Sequence, residues 1–233
     1  MSRPVFLGAK WKHLVLFNYR IDPQILKPHL PRGTEIDSFN GETFVSVVAF
    51  LFLRTTIAGW CPAFFHRDFE EVNLRFYVTR KEGKEIKRGV VFIKEIVPKP
   101  FLAWVARKFY AENYVAMPMS SSIREGKSYR YAWGSDSLEV STESRPLIAN
   151  ESSFERWITE HYWGYTKVTE SKTTEYEVRH PVWNLYPVRS HQLRADIPKL
   201  YGSEFSSTFE AEPVSVFVAD GSDVTVHWPK TIR

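Results

Sequence analysis

An acid, an amide and a guanidinium are spaced two residues apart in a strand-like segment, residues 69–78, of this 233-residue chain. Successive side chains on a strand point to opposite faces, so Glu71, Asn73 and Arg75 are expected to share one face. The apolar residues between them are expected on the other face. Such a polar row in an aromatic-rich chain indicates either a satisfied internal network or the floor of a binding site.

The residues alone leave both interpretations of this row open. As part of a site, Arg75 would hold a carboxylate or phosphate through paired hydrogen bonds from its planar guanidinium. As part of a network, Arg75 and Glu71 would neutralise each other, because buried charges need partners. The two interpretations predict different consequences of removing Arg75: lost ligand binding in the first case and lost stability in the second.

The composition is that of a globular protein with a large aromatic content. Hydrophobic residues make up 43% of the chain and aromatic residues 15%, with 8 Trp, 11 Tyr and 17 Phe. Side chains of this size build a core and also line ligand cavities. Neither a linker-like segment nor a repeat interrupts the sequence, so we predict a single domain over residues 1–233.

Charge and cysteine content limit the classes of partner. The net charge is +4, and acidic residues interrupt the densest basic region, residues 80–88. A hairpin loop with solvated charges explains this region better than a nucleic-acid surface, so no nucleic-acid partner is expected. The single cysteine, Cys61, lacks a partner for a disulfide within the chain and is expected to be buried and inert.

Neither a leader-like segment nor an apolar run of about 18 residues is recognisable, so no membrane association is expected and a cytoplasmic location is predicted. Homo-oligomerisation remains open at this stage.

Strand-like patterns dominate the chain, and Asn40-Gly41 is a strong signal for a tight hairpin turn. Asp22 and Pro23 have the residue types of a helix N-cap and first helical position, and Ser152 and Glu155 have the spacing of a capping box. We predict α+β, mostly antiparallel β structure. The predicted strands are residues 11–20, 34–39, 43–53, 69–79, 89–97, 114–119, 128–133, 138–142, 173–178, 188–193, 214–218 and 224–227. The predicted helices are residues 22–27, 101–111 and 154–162.

Several segments together resemble the YqjF-like family of the acetoacetate decarboxylase-like superfamily. They are residues 39–50, 69–78, 89–92, 106–114, 159–165 and 180–183. The resemblance extends from about residue 11 to residue 229. It implies a cone-shaped antiparallel barrel with a few short helices and an interior pocket, and it implies that Glu71 occupies the place of a pocket acid on the strand before the main helix.

The resemblance also shows where this chain departs from the decarboxylases. In those enzymes a lysine forms a Schiff base with a β-keto acid, and a second lysine lowers its pKa. Aligning Arg107 with the arginine of their helix places Tyr114 at the first lysine and Val115 at the second. A tyrosine cannot form an iminium with a carbonyl. The resemblance therefore predicts a pocket with Tyr114 in its wall but without Schiff-base decarboxylase activity.

The aromatic segment over residues 57–67 is predicted to be a loop that covers the pocket. It contains Trp60, Phe64, Phe65 and His66, and exposing these rings together would create a large apolar patch. Trp60, Phe65 and His66 therefore join the candidate ligand-binding residues. The seven histidines lack the His-x-x-x-His and His-x-His ligand spacings, so neither a metal site nor a cofactor is expected.

Two hypotheses of function remain. The first is a protein, possessing or lacking enzymatic activity, that binds a small organic ligand, an anion or carboxylate, through Glu71, Asn73, Arg75 and Tyr114. The second is a non-enzymatic structural or interaction domain whose barrel is filled by side chains. A cavity beside Glu71 would favour the first, and packed aromatic rings there would favour the second.

Overall fold

The computed structural model describes residues 3–58, 61–62 and 67–232. The strands are β1 (Val5–Arg20), β2 (Glu35–Ile36), β3 (Phe44–Ile57), β4 (Cys61–Pro62), β5 (Phe69–Glu82), β6 (Glu85–Val97), β7 (Tyr114–Ala116), β8 (Met119–Arg124), β9 (Ser128–Trp133), β10 (Asp136–Thr142), β11 (Leu147–Ile148), β12 (Trp163–Thr169), β13 (Lys172–Arg179), β14 (Asn184–Arg194), β15 (Ser215–His227) and β16 (Lys230–Ile232). The α-helices are α1 (Pro23–Leu26), α2 (Pro100–Tyr110), α3 (Phe154–Thr159), α4 (Ile197–Tyr201) and α5 (Ser206–Glu210).

The long strands pair into a closed ring in the order β13-β12-β6-β5-β3-β1-β15, and β15 returns to β13 through Val178 and Val226. Most pairings are antiparallel, as predicted. The exceptions are two parallel pairings of β6, with β12 and with β7. The sequence did not predict them, because it lacks the alternating strand-helix pattern that is typical of parallel sheets. From β15 the sheet also continues outside the ring through β14, β10, β9 and β8.

Alternation along the ring strands creates two apolar clusters. On β3, Val45 and Val47 belong to the cluster covered by the outer strands and the C-terminal helices. Phe44 and Val48 belong to the other cluster, on the inner side of the ring. Strand β3 is buried on both faces, because its side chains in both clusters are almost fully enclosed. Within the described residues, no helix combines the length and apolar character needed to cross a membrane.

Short sequence motifs predicted some of the caps and turns correctly and others incorrectly. Asp22 caps α1 by accepting a hydrogen bond from the Gln24 amide at 2.8 Å, as predicted. The predicted tight turn is also present, with Asn40 and Gly41 both at positive φ. The capping-box prediction at Ser152 is wrong: the next residue, Ser153, accepts the hydrogen bond from the first turn of α3.

Two strand predictions also need correction. The strand predicted over residues 34–39 is limited to β2 (Glu35–Ile36), because the chain then enters the turn. The strands predicted over residues 214–218 and 224–227 form one strand, β15. Gly221 does not turn the chain there, since its pairing with Lys12 of β1 continues the same antiparallel register. Strands β8 and β12 were not predicted.

The charged hairpin is a loop with solvated charges only at its tip, which corrects part of another prediction: residues 81–86 are exposed, but Lys87 is buried and Arg80 is half-buried. Strands β5 and β6 continue to Glu82 and Glu85, and their charged side chains enclose Glu175. The buried Glu175 carboxylate accepts hydrogen bonds from Arg80 at 2.9 Å and Lys87 at 3.3 Å, and Lys230 lies 2.7 Å away. Burial raises the pKa of Glu175, but the hydrogen bond from Lys230 and the neighbouring positive charges outweigh it and hold the pKa below its ordinary value.

Ring closure at the parallel pairing of β6 with β12 requires glycine at residue 89. Gly89 pairs with Trp163, and an added Cβ would lie 2.6 Å from the Trp163 carbonyl oxygen and 2.6 Å from the Tyr165 ring. A backbone carbonyl in a paired strand cannot move aside without loss of the pairing. The approach of these two strands therefore depends on the absence of a side chain.

We expect Gly89→Ala to lower the free energy of unfolding by about 3 kcal/mol, because overpacking at a fixed backbone contact is not relieved by a rotamer change. Gly33→Ala is the matched control: it meets no atom within 4 Å and should cost only about 1 kcal/mol through its positive φ. Urea unfolding followed by tryptophan fluorescence measures both. Equal losses in the two variants would contradict this account of ring closure.

Candidate functional site

A cavity of about 160 Å³ lies on the inner side of the ring. Its wall is built by ring strands β1, β3, β5, β6, β12, β13 and β15, together with β7, the end of α3 and the segments that follow α2, α3 and β13. Most of the lining is apolar, and the aromatic side chains include Phe50, Phe52, Phe69, Phe92, Trp163 and Trp183. Polar groups are concentrated on β5, β6 and the segment that follows α2.

Strand β5 supplies a polar row to the cavity through its period of two. Glu71, Asn73 and Arg75 all line the cavity. The intervening Val72 and Leu74 are fully buried in the opposite apolar cluster. The predicted division of this strand into a polar and an apolar face is therefore the one observed.

A β-bulge in β6 aligns the next polar layer with this row. The β5–β6 register shifts between Leu74, which pairs with Lys94, and Arg75, which pairs with Phe92, so Ile93 is the extra residue. Asn113 donates a side-chain hydrogen bond of 2.8 Å to the Ile93 carbonyl oxygen. Bulges of this kind redirect side chains near sites, and here both Phe92 and Glu95 line the cavity.

Register places three polar residues side by side across neighbouring strands. Asn73 of β5 pairs with Glu95 of β6, and Glu95 pairs with Tyr114 of β7. Helix α2 ends at Ala111, whose left-handed φ of 58° turns the chain out of the helix. Glu112 follows this turn and enters the cavity wall.

Hydrogen bonds join part of this layer. The Tyr114 hydroxyl donates to Glu71 Oε2 at 2.9 Å, and Asn73 Nδ2 donates to Glu71 Oε1 at 3.0 Å. Glu112 Oε1 accepts from Thr166 at 2.6 Å and from the Tyr176 hydroxyl at 2.9 Å. Within the described chain, Glu95 Oε2 and Asn73 Oδ1 are buried without a hydrogen-bond partner.

The three glutamates hold protons more tightly than ordinary carboxyls. Burial raises the pKa of Glu71 to about 7, although hydrogen bonds from Asn73 and Tyr114 oppose the shift. Burial also raises the pKa of Glu112 to about 8. Burial and the charges of Glu112 and Glu71 raise the pKa of Glu95 well above its usual range. Burial likewise raises the pKa of Tyr114, so its hydroxyl stays protonated.

The basic side chains of the cavity are one guanidinium and two imidazoles, and both imidazoles are neutral. Burial lowers the pKa of His161 to about 4 and that of His180 to about 4, and the charge of Arg75 adds to both shifts. His161 Nε2 lies 3.1 Å from Asp37 Oδ2, so the neutral ring donates there. Arg75 has no ion pair within the described residues, and its buried Nε has no hydrogen-bond partner there.

The structure brings together four of the seven candidate ligand-binding residues: Glu71, Asn73, Arg75 and Tyr114 line one cavity. Trp60, Phe65 and His66 lie outside the described residues, as does most of the predicted loop, so its covering of the pocket stays a prediction. Phe52 and Phe69, near the two ends of that segment, stack at 4.6 Å and line the cavity. Ligand binding by any of these residues also stays a prediction.

The titratable cavity residues that were not among the candidates are Glu95, Glu112, His161, Tyr176 and His180. The charged pair Lys94-Glu95 inside the otherwise apolar 89–97 segment was an available signal for Glu95. The pocket acid that the resemblance placed on the strand before the main helix needs correction, because that strand is β6 and carries Glu95, whereas Glu71 lies on β5. His180 follows the end of β13 and lines the cavity.

Metal binding depends on how the possible ligand side chains are grouped. Within the part of the chain that the structure describes, no group of three or more His, Cys, Asp or Glu side chains is arranged to hold one. The chemistry available in the cavity is therefore that of protonated carboxyls, a phenol, neutral imidazoles and one guanidinium.

Comparisons with known proteins support the expected fold. The uncharacterized protein YqjF of Bacillus subtilis (strain 168) is 27% identical over 184 residues, which cover 75% of this chain and 73% of YqjF. The crystal structure of acetoacetate decarboxylase from Legionella pneumophila matches with a TM-score of 0.68 at 14% identity, covering 100% of this chain and 90% of that one. The enduracididine biosynthesis enzyme MppR complexed with pyruvate matches with a TM-score of 0.65 at 11% identity, covering 99% and 91%.

At these identities the solved structures establish the fold alone, and they confirm the mostly antiparallel acetoacetate-decarboxylase-like class. The predicted relationship to YqjF is also confirmed. The model of the DUF2071 family, which is described as an uncharacterized conserved protein, matches residues 8–223. Because this match spans nearly the whole sequence, the chain belongs to the DUF2071 family.

Proposed function

We propose that the cavity binds a small organic anion, most simply a carboxylate, and that Arg75 is its anchor. The observation that carries the proposal is the guanidinium of Arg75, which lines the cavity without an ion pair among the described residues. Leaving a buried donor unpaired is unfavourable, and a guanidinium matches a carboxylate through two parallel hydrogen bonds. The solved MppR structure contains pyruvate, a small carboxylate, which supports this ligand class.

The second hypothesis, a ring filled by side chains, receives less support. The cavity beside Glu71 has a volume of about 160 Å³, and an apolar cavity of about 150 Å³ is large enough for benzene. An aromatic wall with a few convergent polar groups is typical of small-molecule sites. A single domain over residues 1–233, a cytoplasmic location and the absence of nucleic-acid and membrane partners are part of the same proposal, and homo-oligomerisation remains open.

The proposed site works without Schiff-base chemistry. Tyr114 stands where the resemblance places the reactive lysine, and the cavity wall formed by described residues contains no lysine. Protonated carboxyls with pKa values near neutrality are suited to donate or accept protons. Any reaction in this cavity would therefore use acid–base groups and the fixed charge of Arg75.

Removal of Arg75 tests the anchor. We expect Arg75→Ala to change the free energy of unfolding by less than about 1 kcal/mol, because no ion pair is lost. Arg80→Ala, the matched control, should cost about 2 kcal/mol, because it removes a hydrogen bond to the buried Glu175 carboxylate. Calorimetry should detect binding of hexanoate, or of one of the shorter carboxylates down to acetate, to the wild type and to Arg80→Ala. It should detect no binding of the same carboxylate to Arg75→Ala. Equal binding by all three proteins would remove Arg75 from the proposal.

Borohydride trapping tests the absence of Schiff-base chemistry. After incubation with acetoacetate and borohydride, the intact mass of the protein should stay unchanged, because Tyr114 offers no amine. An acetoacetate decarboxylase treated in parallel provides the positive control. A reduced adduct on any lysine of this chain would show that the chemistry uses a residue other than the one aligned with Tyr114.

Protonation of the cavity acids makes stability depend on pH. In the folded state Glu71 and Glu112 keep protons that the unfolded chain, with ordinary pKa values of 4.5, has already released. Their contribution is fully present below pH 4.5 and is lost as the pH rises through about 7 to 8, so stability should fall across that upper range. The lowered histidine pKa values act below pH 6.5 and do not interfere there.

We expect Glu112→Gln to make the fall between pH 6.5 and 8 shallower, by at most about 1.4 kcal/mol per pH unit, because one retained proton is removed. Glu151→Gln, the same change at an exposed glutamate, serves as the control. Urea titrations at several pH values give the slopes. A slope for Glu112→Gln that is identical to the wild-type slope would contradict protonation of Glu112 in the folded protein.

A further inference from the structure

Two buried oxygen atoms in the cavity wall accept no hydrogen bond. Glu95 Oε2 and Asn73 Oδ1 have no partner within the described chain, and both residues line the cavity with at most 2% of their surface exposed. They are neighbours, because Asn73 pairs with Glu95 across β5 and β6. The side-chain amide of Asn73 is oriented by its donation to Glu71, so its oxygen remains the acceptor. This part of the wall therefore offers acceptors to a ligand that donates.

Mutual repulsion among the neighbouring acids favours a positively charged donor. The charges of Glu71 and Glu112 both act on Glu95, and that of Glu71 also acts on Glu112. In this carboxyl cluster, defined as Glu71, Glu95 and Glu112, the described chain supplies no lysine. A cation between these carboxyls would offset both the burial and the repulsion that now keep protons on them.

Arg75 and Glu71 lie at opposite ends of the polar row on β5, and Asn73 with its partner Glu95 lies between them. The charge of Arg75 acts on Glu71, His161 and His180, whereas Glu95 and Glu112 interact with one another and with Glu71. The charged and titratable groups that face the carboxyl cluster are Arg75, Tyr114, Tyr176, His161 and His180.

We propose that the ligand carries a primary ammonium group as well as a carboxylate, and that the ammonium binds at the carboxyl cluster while Arg75 holds the carboxylate. This inference rests on the proposed function and narrows its ligand class to amino-bearing carboxylates. An ammonium has three donors, which suit Glu95 Oε2, Asn73 Oδ1 and a neighbouring carboxylate oxygen. The aromatic wall adds favourable contacts with a cation.

Binding then has a definite proton balance. The ligand enters as the ammonium and keeps its proton. A glutamate of the cluster ionises to pair with the ammonium and releases one proton to solvent, because a nearby positive charge lowers the pKa of a carboxyl. A ligand with only a carboxylate adds negative charge to the cavity, so it should release no proton and should favour proton uptake. The sign of the proton exchange therefore distinguishes the two ligand classes.

Calorimetry with matched ligands tests the inference. The ω-amino acids 4-aminobutyrate, 5-aminopentanoate and 6-aminohexanoate are compared with pentanoate, hexanoate and heptanoate, in which a methyl group replaces the ammonium. Titrations at pH 7 in buffers of different ionisation enthalpy give the number of protons exchanged. We expect at least one ω-amino acid to bind about tenfold or more tightly than its partner, as charge-assisted hydrogen bonds allow, and to release protons.

A substitution in the carboxyl cluster tests whether the cluster causes the preference for the ω-amino acid. Glu95→Gln keeps the shape of the side chain but cannot ionise, so it should abolish the preference for the ω-amino acid over its methyl partner. Glu70→Gln, the same change on β5 at a glutamate outside the cavity wall, should keep the preference. If Glu95→Gln does not fold, Glu112→Gln makes the same comparison.

The outcomes separate this inference from the proposed function. Carboxylates that bind as tightly as every ω-amino acid, or ω-amino acids that bind with proton uptake, would overturn the ammonium site while carboxylate binding stands. A preference that survives in Glu95→Gln and Glu112→Gln would also overturn it. If neither series binds at any length, both the inference and the proposed function fail.

Discussion

Closure of the strand ring is the constraint on which the candidate site depends. In a closed ring of strands every second side chain points inward, so the inner residues must either fill the space or enclose a cavity. Strand β6 joins β5 to β12 at Gly89, where no side chain can be accommodated. Once the ring is closed, the inward row of β5 places Glu71 and Asn73 away from bulk water and leaves Arg75 half-buried. The raised pKa of Glu71 follows from that enclosure.

The buried charged side chains of this protein have two different kinds of surroundings. Glu175 also lies fully enclosed, yet Arg80, Lys87 and Lys230 surround its carboxylate. At the cavity, Arg75 has no ion pair and Glu95 has an unpartnered oxygen, both within the described residues. Buried polar groups are ordinarily satisfied, and the Glu175 cluster shows that this fold can satisfy them fully. Among the charged side chains, the unpaired Arg75 and the free oxygen of Glu95 therefore support the proposed ligand, although uncharged groups away from the cavity, such as the Tyr201 hydroxyl, are also buried without a partner among the described residues.

Sequence patterns predicted those parts of the site that depend on one strand. The period of two on β5 was sufficient to place Glu71, Asn73 and Arg75 on one face, and the resemblance was needed to bring Tyr114 to them. Glu95 could not be placed from the pattern, because the bulge at Ile93 shifts its strand relative to β5. Glu112 depends on the left-handed turn at Ala111. The solvated-hairpin interpretation missed the ion pairs of Arg80 and Lys87 with Glu175, because Glu175 and Lys230 are distant in sequence from residues 80–88 and only the fold brings them there.

The resemblance places Tyr114 where the decarboxylases carry an amine, and such a difference would change the electrostatics of the whole cavity. A lysine at this position would add positive charge beside the cluster of Glu71, Glu95 and Glu112. The phenol is uncharged, because burial keeps it protonated, and its hydroxyl donates a hydrogen bond to Glu71. The acids therefore hold protons to a higher pH than ordinary carboxyls, and Arg75 is the fixed positive charge of the described wall. Since a cation beside these carboxyls would displace their protons, the positive charge that the described wall lacks next to them is one that a ligand can supply.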